Sequence, residues 1–400
     1  MMSMIWTVFW FLLVISILIF VHEFGHFIMA KRSGIKVIEF ALGLGPKLIK
    51  VQKGETLYSV RLLPFGGFCR FLNEHVDLAQ DLETGKITQE EYERLLPRTF
   101  ERKSYARRMG VLMGGSVFNI LLGAVLFMLL FAVWGVQVGV STNALSDITP
   151  NYPASQAGLL PGDRIVSING LPTPDGDAVT SAILAASTSQ TQPQPDPQTQ
   201  PTPQTEPQAP QPHHQTEPQQ DFPPLTLTVQ APDGNLRDVI VTPIYHTDKK
   251  KPVIGITTSV DYTFQKLSPI EALKRGMILT GGLTKDIVSF LFGLVTTGQG
   301  ADQVTGVVGI AKIVGQFATH GVYTLGMLMA ALSIQLGILN LLPFPALDGG
   351  QIVILSYERI RGKELSLEVK GFVQLVGFAL LMTLMVVLIF KDVFFPIELP

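Results

Sequence analysis

Only one cysteine, Cys69, occurs in the 400 residues, so no disulfide can form within the chain. A single thiol says little about redox compartment and reads as a small packing residue. Charge is scarce too. Asp, Glu, Lys and Arg make up 16% of the residues, against about 25% in soluble domains. Neither sign is in large excess, and a net charge of −2 gives no reason to expect a nucleic-acid partner. No Lys or Arg precedes Lys31, and no small-residue cleavage site follows the first apolar run. That run therefore lacks the marks of a cleaved signal peptide and reads as a retained membrane span.

Apolar residues are plentiful: 47% of the chain is hydrophobic. Segments 5–30, 109–136, 322–341 and 371–390 are each long enough to cross a lipid bilayer. Lys31, Arg32, Lys47, Lys50, Lys53, Arg98, Arg102, Lys103, Arg107 and Arg108 lie between the first two spans, and Arg359, Arg361, Lys363 and Lys370 between the last two. The positive-inside rule makes both links cytoplasmic, and places the termini and the long 137–321 region outside. From 268 to 297 the pattern is helical, but Lys274, Arg275, Lys285 and Asp286 interrupt it. An amphipathic segment lying on the outer membrane face is expected there, with a fifth span over 277–295 as the alternative, and 306–312 as a loop dipping inward.

Between the first two spans, 56–62 and 67–71 read as short strands around a Pro64/Gly66/Gly67 turn, and 90–96 as a short polar helix. Their outer edge could pair with an extended peptide. Segment 137–256 reads as a small β-rich domain. It has a tight turn and strand at 157–170, a helix at 177–186, and a hairpin joining 225–229 to 238–241. Residues 187–224 are almost all Gln, Pro, Thr and Ser, and are expected to be a disordered insertion. His213 and His214 within it read as solvated spacer residues. The remaining divisions are 1–136 with the first two spans, 257–321, and 322–400 with the last two.

The chemistry concentrates in His22-Glu23-Phe24-Gly25-His26, inside the first apolar run. Ionisable groups at that depth destabilise insertion by roughly several kcal/mol unless something compensates them. Residues i and i+4 share one helix face, so His22 and His26 can ligate one zinc ion, with Glu23 beside it as general base. A catalytic zinc takes a third protein ligand and keeps one position open. Asp348 is the natural choice, because Pro343 and Pro345 break the helix before it and Gly349 and Gly350 follow it. Non-helical backbone at that depth is tolerated only where it lines a protein or water cavity.

HEFGH in the first span with NLLPFPALDGG in a later one resembles the site-2 protease family of intramembrane zinc metalloproteases, in the bacterial form with a PDZ domain. Segments 40–46 and 63–68 resemble the family's glycine-containing stretch and membrane-associated hairpin. Segment 114–119 resembles its second-span motif, without the usual Gly-Pro pair. Segment 158–170 resembles a permuted PDZ module.

The resemblance implies a mainly α-helical, four-span membrane protein with a PDZ-like domain between spans two and three. His22, His26 and Asp348 would be zinc ligands and Glu23 the catalytic base. Asn340 would stabilise the oxyanion or position the substrate strand. The implied activity is cleavage of single-span membrane proteins, such as an anti-sigma factor or a remnant signal peptide, after trimming by an upstream site-1-type protease. Two other readings stay open at this point: a membrane zinc transporter or metal sensor using the same histidines, and an inactive scaffold.

Overall fold

The computed structural model describes residues 4–188, 222–246 and 250–395; the expected insertion, with His213 and His214, lies almost wholly outside them. The chain forms two compact units, 1–136 with 266–400, and 137–265.

The first unit opens with helix α1 (Met4–Arg32), whose buried residues Val14, Leu18, His22, Gly25, His26 and Ala30 form one stripe. Strands β1 (Val37–Lys53) and β2 (Thr56–Phe71) follow. β1 is longer than expected, because the 40–46 stretch is itself strand. Residues 39–42 pair with 67–70 on one side and with 57–60 on the other, while 47–53 pairs with 56–61. The 67–71 segment is thereby an edge. Short helices α2 (Ala79–Glu83) and α3 (Gln89–Leu95) lead to α4 (Tyr105–Val133).

The second unit contains β3 (Val136–Ile148), α5 (Pro153–Gln156), β4 (Arg164–Ile168), β5 (Leu171–Pro172), α6 (Gly176–Thr188), β6 (Leu225–Gln230), β7 (Leu236–Val241), β8 (Ile244–His246), β9 (Lys251–Val253) and β10 (Ile256–Gln265). Its main sheet has the order β10-β3-β4-β6-β7. Ile165, Ile168, Leu225, Leu227 and Val179 fill the core between the sheet and α6. Alternation of buried and exposed residues along β6 is what a half-buried strand requires. The unit runs nine residues past the expected end at 256, because β10 completes the sheet beside β3.

The first unit resumes with α7 (Pro269–Thr297), α8 (Val307–Thr319), α9 (Val322–Asn340), α10 (Asp348–Arg361) and α11 (Leu367–Phe394). Among the described residues five helices, α1, α4, α7, α9 and α11, are long and apolar enough to cross a membrane. α7, expected at the interface, is continuous and packs Leu279, Leu283 and Ile287 toward Phe127 and Ile334. The loop expected at 306–312 is instead the first part of α8. Its glycines mark contacts rather than breaks: Gly306 and Gly309 donate backbone N–H groups to the buried Asp392 carboxylate, at 3.1 and 2.7 Å. Val314 packs with Val14 and Leu18 of α1.

Candidate metal centre

The site begins with close helix contacts. A Cβ on Gly25 would collide with the carbonyl of Gly114, so α1 and α4 meet backbone to backbone. One residue on, Gly115 faces the histidines. A Cβ there would stand 2.5 Å from His26 Nε2 and 2.7 Å from His22 Nε2. Only glycine leaves both rings room.

The third group arrives from the other side. α9 ends at Asn340, the chain turns, and Asp348 is the first residue of α10, where the helix dipole favours an anion. Side chains on Gly349 or Gly350 would strike the carbonyls of Leu342 and Phe344, and Gly377 of α11 lies against Pro345. The turn carrying Asp348 is therefore tightly folded.

His22 Nε2 and His26 Nε2 are 3.2 Å apart. Asp348 Oδ2 lies 3.1 Å from the first and 3.3 Å from the second. Four donors around a tetrahedral zinc, bonded at about 2.0–2.1 Å, are separated by about 3.3 Å. The observed triangle has those sides. Asp348 Oδ2 is buried and lacks a hydrogen bond, and both rings are buried. Buried carboxylates normally have partners, so a cation between these atoms fits the donor set. His26 Nδ1 lies 2.8 Å from the Val111 carbonyl. A carbonyl only accepts, so the Nδ1 proton is fixed and Nε2 keeps its lone pair for a metal. Among the described residues these three form the group with metal-binding geometry.

Glu23 lies next to His22 on α1, half-buried, against the hairpin; a Cβ on Gly67 would stand 3.3 Å from its Cγ. Asn340 is half-buried at the last position of α9. The hairpin is braced by Glu39, which accepts from Ser59 at 2.7 Å and Arg61 at 2.8 Å and pairs with Lys47 at 3.1 Å. Burial alone would raise the Glu39 carboxyl, but these bonds outweigh it and hold it below its ordinary value. Sequence reasoning gave Val111 no role and Gly115 only a place in the 114–119 motif. A small residue inside an apolar helix was the available signal, and it does not say which neighbour needs the space.

The profile of peptidase family M50 matches residues 10–384. The chain belongs to that family, the site-2 proteases. The M50 chain is 30% identical to the zinc metalloprotease RasP of Geobacillus kaustophilus, over 96% of each chain. It is also 30% identical to the regulator of sigma-W protease RasP of Bacillus subtilis, over 97% of this chain and 98% of that one. A Clostridium acetobutylicum protein is 32% identical over 97% of both. This M50 peptidase is thus a zinc metalloprotease with zinc as its cofactor. Its apolar helices make it an integral membrane protein. The transporter, sensor and scaffold readings are not favoured.

Proposed function

We propose that this peptidase cleaves transmembrane segments of single-span membrane proteins during regulated intramembrane proteolysis. The observation that carries the reading is the convergence of His22 and His26 with Asp348 at the start of α10, beside Glu23, on a helix α1 apolar enough to cross a membrane. His22, His26 and Asp348 would hold the zinc, which when bound acidifies water and polarises the scissile carbonyl. Glu23 takes a proton from the attacking water and returns it to the leaving amine. Asn340 holds the carbonyl oxygen as negative charge develops on it. A substrate helix must first unwind, leaving backbone groups unpaired. The 67–71 edge, which has no strand on its outer side among the described residues, can pair with them.

Four crossings, by α1, α4, α9 and α11, fit the ties at the ends of α7. The starts of α4 and α11 share Glu358, through Arg108 at 3.8 Å and Lys370 at 2.6 Å, so the two helices run the same way. Lys266, just before α7, donates to the Val133 carbonyl at the far end of α4. Lys391, near the far end of α11, donates to the Asp302 and Val304 carbonyls just after α7. Both flanks of α7 are therefore tied to one side, which supports an interfacial α7. With the basic links inside, that side is outside the plasma membrane, and the metal centre lies toward the cytoplasm.

The 137–265 unit is proposed to be a PDZ-like filter admitting substrates already trimmed by an upstream protease. Between α6 and β10 it has a cavity of about 330 Å³ lined by residues including Thr180, His246, Lys251 and Ile256, which suits an extended peptide end. An anti-sigma factor or a remnant signal peptide fits as substrate, since one relative is named a regulator of a sigma factor. The decisive measurement is cleavage of a model single-span substrate by wild type and Glu23→Gln in the same membranes. A rate at least about a hundredfold lower is expected without the general base; equal rates refute the assignment.

A further inference from the structure

Asn119 is fully buried in α4, and its side-chain amide approaches His22 Nδ1 at 3.4 Å. As placed, the amide nitrogen faces the ring, while Oδ1 is buried without a partner. The two ends of a carboxamide have nearly the same shape, so the groups around it decide which end faces the ring. An amide nitrogen only donates. It could bond His22 Nδ1 only if the ring proton sat on Nε2. That proton would point at His26 Nε2 and Asp348 Oδ2, 3.2 and 3.1 Å away, and would block ligation. With the carboxamide turned by half a revolution, Oδ1 gains a donor in the Nδ1–H of His22. Nε2 is then left with its lone pair toward the cluster.

The same device already serves the other ring. His26 Nδ1–H donates to the Val111 carbonyl at 2.8 Å. Val111, Gly115 and Asn119 recur every fourth residue, so they share one face of α4, as His22 and His26 share one face of α1. Val111 meets His26, Gly115 fits between the rings, and Asn119 meets His22. The turn bearing Asn119 is also fixed from behind, because fully buried Ser333 of α9 donates to the Asn119 carbonyl at 2.7 Å.

We propose that Asn119 is a positioning residue of the metal centre: its carboxamide oxygen accepts the Nδ1 proton of His22 and directs Nε2 at the zinc. The proposal rests on His22 being a ligand. The test uses full-length protein in detergent, with zinc affinity measured by chelator competition and the cobalt-substituted absorption spectrum as a second readout. His22→Ala should abolish stoichiometric zinc binding; if it binds like wild type, the ligand reading itself fails.

Given that loss, Asn119→Leu, which fills similar space without an acceptor, should weaken zinc about 10- to 100-fold and shift the cobalt bands. Asn119→Asp keeps an acceptor toward Nδ1–H, and should hold zinc within about threefold of wild type with cobalt bands unmoved. Wild-type affinity in Asn119→Leu overturns the proposal. So does a loss in Asn119→Asp of about tenfold or more in protein that assembles like wild type, since the carboxylate keeps the acceptor and lacks only the donor. If Asn119→Leu does not assemble, the Asp variant alone decides.

Discussion

Gly115 leaves room for the rings of the proposed metal centre through the side chain it lacks. A methyl group at that position would lie 2.5–2.7 Å from the two ring nitrogens, too close for either imidazole to stay in place. Gly115→Ala is therefore expected to reduce zinc affinity by about tenfold or more, read as metal per protein after dialysis. Chelation of the wild type should abolish proteolysis, and added zinc should restore it; activity that survives complete zinc removal would contradict the zinc assignment. The HEFGH residues were legible in the sequence because charged and imidazole groups in an apolar run demand a partner. Asp348 was legible because broken helix at depth does too. Asn119 was visible only as part of a motif. Its relation to His22 depends on how α4 registers against α1, which no local pattern encodes.

At the scale of elements, the hairpin after α1 is held by Glu39 and its three partners. The Glu39 carboxyl is held below its ordinary value of 4.5. Its contribution to stability is therefore complete above that pH, and is lost as pH falls through the lowered value in the folded state. Glu39→Gln should flatten the acid limb of the hairpin's stability, followed by limited proteolysis between pH 6 and about 3; an unchanged acid limb would show that the network contributes nothing. β1 was hard to read because Gly43, Gly45 and Pro46 resemble a loop, although Gly43 lies in strand with φ +86°. α8 was missed for the same reason. Its glycines admit the Asp392 carboxylate and, at Gly315, the side chain of Thr7.

At the scale of the molecule, α7 offers the sharpest test of topology. In a Cys69→Ser background, single cysteines at positions 266 and 299 should both react with a membrane-impermeant reagent added outside intact cells. Labelling of the first alone would mean that α7 crosses. Removal of 137–265 should let the enzyme cut untrimmed substrates, and unchanged selectivity would refute the filter. The unit's start at 137 coincides with the end of the second apolar run in the sequence, whereas its end at 265 has no such mark, because β10 declares itself only by pairing with β3.

That pairing has a further consequence. Gly139 lies against Val260 and Tyr262, so the entry and exit of the inserted unit are neighbours. To the lipid-embedded helices, more than a hundred residues are topologically a tight bend. The entropy of bringing the flanking helices together is then set by the strand ends and hardly at all by what lies between them. Replacement of the whole insert by a few linking residues should leave the assembly of α4 with its partners intact.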